Sequence, residues 1–154
     1  AATLGWEVYA FDLSYAGKSK ATELAEKHKV KIDYQVGSLE DVVYEEDYFD
    51  AIGLIYAHFP AAMKSSYHQK LTKYLKKGGH VIFEAFSKNH LQLSAENPAV
   101  GGPKKMEMLF SINEVRNDFN NYHFLELEDT EIVLSEGLYH NGKSAVIHFL
   151  AEKC

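Results

Sequence analysis

The apolar positions of the chain follow the periods of strands that alternate with helices. An apolar run at residues 7–11 predicts a strand, and Ser14 can cap the following helix, whose apolar positions recur at helical spacing in 21–28. Residues 30–36 alternate between apolar and polar, which predicts a second strand. Residues 49–57 form a nearly continuous apolar run, which predicts a central parallel strand that is covered on both faces.

The same alternation continues in the second half of the chain. Apolar residues in 63–75 recur at helical spacing behind Pro60, and the pair Gly78 and Gly79 predicts the end of that helix. Residues 80–86 then form another apolar run and predict a buried strand.

The last third begins with an irregular segment. Residues 87–110 show no clear period, and a connection of this length without regular structure is usually functional or disordered. Ser111 and Glu114 then form a capping box, which predicts a helix. Asn141-Gly142 is a strong turn signal and predicts a hairpin between β-prone segments at 124–140 and 144–151. Strands that alternate with helices in this order predict an α/β fold with a parallel sheet, in a single domain that covers residues 1–154.

Composition narrows the classes of function. The 154 residues carry 16 basic and 22 acidic side chains, with a formal net charge of −6. Nucleic acid is bound by clustered Lys and Arg, so this charge argues against a nucleic-acid partner. No apolar run approaches the roughly 20 residues that span a bilayer, so we expect no membrane partner. Cys154 is the only cysteine, which precludes a disulfide within the chain and suits a cytoplasmic protein.

Three segments, taken in order, carry a resemblance to a known family. They are Val8-Tyr9-Ala10-Phe11-Asp12-Leu13-Ser14, Phe49-Asp50-Ala51-Ile52 and Leu75-Lys76-Lys77-Gly78-Gly79-His80-Val81-Ile82-Phe83-Glu84. The chain resembles class I S-adenosylmethionine-dependent methyltransferases from their second strand onward, and is most similar to the small bacterial tellurite-resistance and thiopurine types. The resemblance implies a Rossmann-like, mostly parallel sheet with helices on both faces and a C-terminal antiparallel hairpin. It also implies S-adenosylmethionine as the cofactor.

The resemblance implies a cofactor site at the ends of the strands. Asp12 matches the acidic residue that binds both ribose hydroxyls, since a carboxylate can accept from a vicinal diol; capping of the next helix is the alternative role. Leu13 follows it. Ser38 stands where the family usually has an Asp that accepts from adenine, and the amide of Leu39 would contact the ring. Tyr56 would lie against the sulfonium, which aromatic faces stabilise.

The position of Ser38 departs from the family pattern. Because Ser38 is neutral, the resemblance implies a weaker or shifted adenine contact, with Glu40 or Asp41 as substitutes for the usual Asp.

The resemblance places the methyl-transfer centre after the strand at 49–57. His58, Tyr56 and Glu84 are the catalytic candidates, because a His can deprotonate or orient an acceptor. His58 and Phe59 are also candidates for binding the acceptor, together with His90 in the 87–110 segment, which we expect to form a lid over it. Packing in the core is the alternative role for Tyr56 and Phe59.

The other histidines are expected to be solvated surface residues: His68, His123 and His140. A metal site formed by His58, His90 and His140 lacks the close spacing of a zinc motif, so we expect no metal.

The family's glycine-rich turn between the first strand and the first helix has no counterpart in the chain. Residues 1–5 resemble the tail of that first helix, so we expect this chain to be part of a longer protein and to bind the cofactor poorly by itself. Without the first strand, which is central in the family, two apolar strands would keep unpaired edges.

The function expected is methyl transfer to a small-molecule acceptor, and the nearest relatives imply a soft sulfur, selenium or tellurium nucleophile. The alternative is a methyltransferase-like module that binds or regulates without catalysis. A nicotinamide oxidoreductase is disfavoured because the one Tyr-x-x-x-Lys spacing, Tyr139 with Lys143, spans the predicted turn. The sequence is compatible with a homodimer but does not determine the oligomeric state.

Overall fold

The computed structural model describes residues 1–136 and 139–154, which form two compact units, 1–44 and 45–154. Each unit contains parallel strands joined through helices, as the sequence predicts. No helix in the described part of the chain is long and apolar enough to cross a membrane. The prediction of a single domain stays a prediction.

The first unit is a small parallel sheet with one helix. After a 3-10 turn at Ala2–Leu4, its elements are β1 (Tyr9–Asp12), α1 (Tyr15–Lys27) and β2 (Asp33–Val36). The two strands pair in parallel, with Tyr9 opposite Asp33. Ser14 caps α1 as predicted, because its Oγ accepts a hydrogen bond from Gly17 N at 2.9 Å. Of the predicted buried face of α1, Ala25 is buried, whereas Leu24 is exposed.

The second unit contains a four-stranded sheet in the order β3-β4-β6-β5. Its elements are β3 (Phe49–Ile55), α2 (Lys64–Tyr74), β4 (Leu75–Phe86), α3 (His90–Glu96), α4 (Ile112–Asp118), β5 (Tyr122–Ser135) and β6 (Asn141–Lys153). β3 pairs with β4 in parallel, and β6 pairs with both β4 and β5 antiparallel. β5 forms one outer edge and carries four acidic side chains. The predicted α/β class with a closing antiparallel hairpin is confirmed.

Two predicted features of β3 and β4 are wrong. β3 is an edge strand among the described residues rather than a central one, since it pairs with β4 alone, and Ile55 is more than half exposed. Gly78 and Gly79 do not end α2, which passes directly into β4 at Leu75. Phe49 pairs with Leu75 but Ala51 pairs with His80, so the glycines lie in a bulge of β4, where Gly78 has a φ of +76°.

The third correction concerns the hairpin turn. Asn141 and Gly142 pair with Ser135 and Leu134, so they begin β6 instead of forming the turn. The connection falls in 136–140, of which residues 137 and 138, part of the first predicted hairpin segment, lie outside the described residues.

The irregular 87–110 segment also contains more structure than its sequence predicts. It forms α3 and two 3-10 turns, Pro98–Val100 and Met106–Met108. Val100 and Leu109 are fully buried, so the segment is packed on the second unit along much of its length. Its helical pieces are short and are separated by Pro98, Gly101, Gly102 and Pro103, so the sequence shows no sustained helical period.

Helices cover both faces of the second sheet. On one face, Phe83 of β4 stacks on Phe149 of β6 with ring centroids 4.8 Å apart, beneath His68 of α2. Successive strand residues alternate between faces. Phe86 therefore points to the other face, where it stacks on His90 of α3.

Replacement of Phe83 by Ala tests this core. Phe83 is 1% exposed, and its loss should lower the free energy of unfolding by about 3–5 kcal/mol, because a buried phenyl ring leaves a cavity. The matched control is Ile82→Ala on the opposite face, where the side chain is 50% exposed. Urea denaturation should give a loss of about 1 kcal/mol or less for the control. Equal losses for both variants would contradict this assignment of the two faces.

Candidate functional site

Asp12 lies exposed at the carboxyl end of β1 in the first unit. Its Oδ1 accepts a hydrogen bond from Ser14 N at 2.7 Å, so the carboxylate helps to start α1, as the alternative role required. A carboxylate can accept through both oxygens, and this contact uses only Oδ1. Both roles predicted for Asp12 are therefore compatible with its geometry. Leu13 beside it is exposed.

Ser38 lies just beyond the end of β2 and is held by Asp41. The Ser38 amide and hydroxyl both donate to Asp41 Oδ2, each at 2.7 Å, and Ser38 Oγ accepts from Glu40 N at 3.2 Å. Gly37 N donates to Asp12 O at 3.0 Å, which brings the ends of the two strands together. Asp41 thus orients Ser38, and the side chain of the next residue, Leu39, is buried.

Tyr34 is a residue near Asp12 that sequence reasoning missed. Burial, followed by the negative charge of Asp12, raises the pKa of the Tyr34 phenol. Its position two residues before the end of β2, on the strand next to β1, is the signal that could have indicated it.

Tyr56 and Glu84, two candidates from separate strands of the second unit, form one pair. Tyr56 N donates to Glu84 O at 2.6 Å, and Tyr56 OH donates to Glu84 Oε1 at 2.9 Å. Burial and the carboxylates of Glu84 and Glu136 raise the pKa of Tyr56 well above its usual value, so its phenol stays protonated. Tyr56 has a φ of +51°, a strained conformation that is frequent at functional sites.

His58 is held between two backbone groups. Its Nδ1 lies 3.1 Å from Met108 O, its Nε2 lies 3.4 Å from Phe86 N, and its ring stacks on Phe86. Burial lowers the pKa of His58, and the nearby charge of Lys64 adds to this effect. Neutral His58 therefore donates from Nδ1–H to a carbonyl. Its predicted role as a base stays a prediction, and this geometry favours orientation of the 87–110 segment.

His90, the lid candidate, is fully buried at the start of α3. Its ring stacks on Phe86 with centroids 4.0 Å apart, and its Nε2 lies 3.1 Å from Gly101 O. Its Nδ1 has no hydrogen-bond partner among the described residues. Burial lowers the pKa of His90, and the charge of Lys104 lowers it further.

Phe59 packs against a different part of the second unit from its neighbour His58. Its ring packs edge-to-face against Tyr67 of α2 at 5.0 Å and lies 5.8 Å from His68. This contact agrees with the core role that the sequence left open for Phe59, and its acceptor contact stays a prediction.

Lys64 is an anchoring residue that the sequence did not indicate. Its Nζ donates to Leu109 O at 2.8 Å and Glu107 O at 3.2 Å, and lies 4.5 Å above the Phe110 ring. A cation in the first turn of a helix is disfavoured by the helix dipole. The placement of a lysine at the start of this helix is the sequence signal that could have indicated another partner for it. In the structure that partner is the backbone at Glu107 and Leu109.

Two histidines predicted to be solvated are not. His68 is 0% exposed, and its Nδ1 lies 2.7 Å from Asp118 Oδ2. His140 is half-buried, with its ring 5.1 Å from Tyr56 and its Nδ1 3.4 Å from Glu136 Oε2. Only the local polarity of these segments was visible in the sequence, and the burial comes from strands and helices distant along the chain. His123 is exposed, as predicted.

The three histidines His58, His90 and His140 all pack against Phe86. Their ring nitrogens contact backbone or carboxylate atoms rather than one another. Within 1–136 and 139–154, no group of three or more His, Cys, Asp or Glu side chains could hold a metal ion.

Comparisons with known families and with solved structures both identify methyltransferases. The family model described as "Methyltransferase domain" matches residues 1–83. The fold is similar to TehB from Haemophilus influenzae (TM-score 0.75, 18% identity), with 99% of this chain and 52% of that chain covered. It is also similar to S-adenosylmethionine-dependent methyltransferases from Methanosarcina mazei (TM-score 0.74, 16% identity, 99% and 84% covered) and Clostridium acetobutylicum (TM-score 0.69, 14% identity, 96% and 75% covered).

The chain thus spans about half the length of TehB. No protein of curated function matches it significantly by sequence. The predicted resemblance to S-adenosylmethionine-dependent methyltransferases is confirmed by the family match, and the solved structures establish the fold.

Replacement of Gly102 by Ala tests the packing of the 87–110 segment on the site. Gly102 has a φ of +78°, and an added Cβ would lie 2.8 Å from the Phe86 ring and 2.9 Å from His90 Nε2. We expect a loss of about 1–3 kcal/mol in thermal or urea unfolding, from overpacking and backbone strain. Gly53→Ala is the control, because no atom lies within 4 Å of its added Cβ. A neutral Gly102→Ala would show that the segment does not pack on Phe86.

The histidine cluster predicts a dependence of stability on pH. The folded state lowers the pKa of His58 and His90 below the ordinary 6.5, so it disfavours their protonation. The two neutral histidines contribute fully to the stability of the folded state above pH 6.5, and this contribution is lost as the pH falls through their lowered pKa values. The free energy of unfolding should therefore decrease between pH 7.5 and 5.

The free energy of unfolding of His58→Gln should decrease less steeply over this pH range. That of His123→Gln, whose side chain lies on the surface, should follow the wild type. Parallel curves for His58→Gln and the wild type would exclude His58 as a contributor.

Proposed function

The chain belongs to the methyltransferase-domain family, and from this premise we propose that it transfers a methyl group from S-adenosylmethionine to a small-molecule acceptor. The observation that carries the proposal is the family match, which covers Asp12, Ser38 and Tyr56, the predicted cofactor contacts. The acidic net charge of −6 supports a small acceptor over a nucleic acid. We also propose a soft sulfur, selenium or tellurium nucleophile, which rests on the resemblance of the sequence alone.

The first unit contains groups that fit the nucleoside end of the cofactor. Asp12 is an exposed carboxylate at a strand end, as a ribose diol requires. Ser38 Oγ directs its proton at Asp41 and accepts from Glu40 N, so it retains one lone pair that can accept from an adenine amino group. The amide of Leu39 and the exposed side chain of Leu13 complete this proposed set.

The second unit would serve the acceptor. When bound, S-adenosylmethionine supplies an electrophilic methyl group for in-line displacement, which requires alignment and the exclusion of water more than acid–base chemistry. Tyr56 donates its one hydroxyl proton in a hydrogen bond to Glu84 and stays protonated, so it orients that carboxylate and does not act as a base. His58 and Lys64 hold the Met106–Met108 turn by its carbonyl groups, which would exclude water from this side.

Calorimetric titration of S-adenosylhomocysteine into the full-length gene product tests the proposal. We expect micromolar binding, and a loss of about tenfold or more for Asp12→Ala, because two hydrogen bonds to a charged group are removed. Asp33→Ala is the matched control, since Asp33 begins β2 at the opposite end of the same parallel pair. It should bind as the wild type does.

Absence of binding to the folded protein would refute the enzymatic function. The chain would then be a methyltransferase-like module without catalysis, the alternative that the neutral Ser38 left open.

A further inference from the structure

The Tyr56–Glu84 pair presents a negative charge beside aromatic rings. Glu84 is half-buried and accepts from Tyr56 OH at 2.9 Å. The Tyr56 ring lies 4.9 Å from Phe86 and 5.1 Å from His140. Glu84 and Tyr56 are both only partly buried, so the pair is accessible to solvent.

No cationic side chain of the described residues forms an ion pair with Glu84. His148, its neighbour on β6, has its Nε2 3.5 Å from Glu128 Oε2. Lys64 is engaged by two carbonyls and by Glu114 at 3.6 Å. Among the residues that the structure describes, the charge of Glu84 therefore has a hydroxyl partner but no counter-ion.

Of the three histidines that pack around Tyr56 and Phe86, two supply no positive charge at neutral pH, and the third, His140, lies beside Glu136. His58 and His90 have lowered pKa values and contact carbonyl oxygens. Glu136 acts electrostatically on Tyr56 and lies 3.4 Å from His140, so it adds a second carboxylate to this side of the ring.

We propose that Glu84 and Tyr56 form a binding site for a positively charged group of the methyl acceptor, such as an alkylated or primary ammonium. A carboxylate without a counter-ion attracts such a group, and an aromatic face stabilises it by cation–π attraction. The strained backbone of Tyr56 holds its ring and hydroxyl at this position.

This inference rests on the proposed function and narrows its substrate class. An acceptor with an anionic oxygen cluster would meet two carboxylates and no free cation in the described part of the site, so oxyanions are disfavoured. A soft nucleophile remains compatible when the same molecule carries an amine, as in an aminothiol or aminoselenol.

Choline and its neutral isostere 3,3-dimethyl-1-butanol are the probes, measured by ligand-observed NMR with the full-length gene product. The wild type should prefer choline by about tenfold, which corresponds to about 1.4 kcal/mol. Glu84→Gln keeps an acceptor for Tyr56 OH but removes the charge. This variant should bring the ratio of the affinities for choline and 3,3-dimethyl-1-butanol close to one. Glu84→Asp, which keeps the charge, should retain part of the preference for choline.

Glu126→Gln on β5, two strands from β4 on the same sheet, is the control and should keep the full preference. Circular dichroism of each variant verifies its fold. Equal affinity of the wild type for the two probes, or an unchanged preference in Glu84→Gln, would overturn the inference.

A second ligand pair, S-adenosylmethionine and S-adenosylhomocysteine, separates the acceptor from the cofactor. If Glu84→Gln changes only the preference for S-adenosylmethionine over S-adenosylhomocysteine, the carboxylate serves the sulfonium and the acceptor assignment is wrong. If S-adenosylhomocysteine fails to bind the wild type while the choline preference persists, the proposed function fails and the cation site stands.

Discussion

The ring of Phe86 is the contact on which the second unit's candidate site depends. Phe86 is 1% exposed, and the rings of Tyr56, His58 and His90 pack against it from three different segments. These polar aromatic residues need an apolar surface for one side of each ring and a hydrogen-bond partner at the edge. Phe86 supplies the first, and backbone carbonyls or Glu84 supply the second.

The 87–110 segment is held to this cluster by its backbone carbonyl groups as well as by its own buried side chains, among them His90 and Leu109. Gly101 O, Met108 O and Leu109 O accept from His90, His58 and Lys64, respectively. The chemistry of the site and the order of the segment are therefore coupled through two neutral imidazoles and one ammonium.

Features determined by neighbouring residues could be predicted from the sequence, whereas those determined by distant residues could not. Ser14 and the Ser111–Glu114 box cap their helices as predicted, because capping involves residues three apart. The burial of His68 depends on Asp118, fifty residues away, which no local period reveals. The pairing of Tyr56 with Glu84 likewise follows from the register of β3 on β4, although each residue was recognised alone.

The acidic outer strand β5 has a consequence for the behaviour of the protein at high concentration. Its outer edge offers unpaired backbone groups to a second molecule, and charged side chains are a common defence against such pairing. Four carboxylates supply that defence: Glu126, Glu128, Asp129 and Glu131. The charged edge should therefore keep the protein monodisperse at high concentration, because strand-to-strand pairing would bring these carboxylates together.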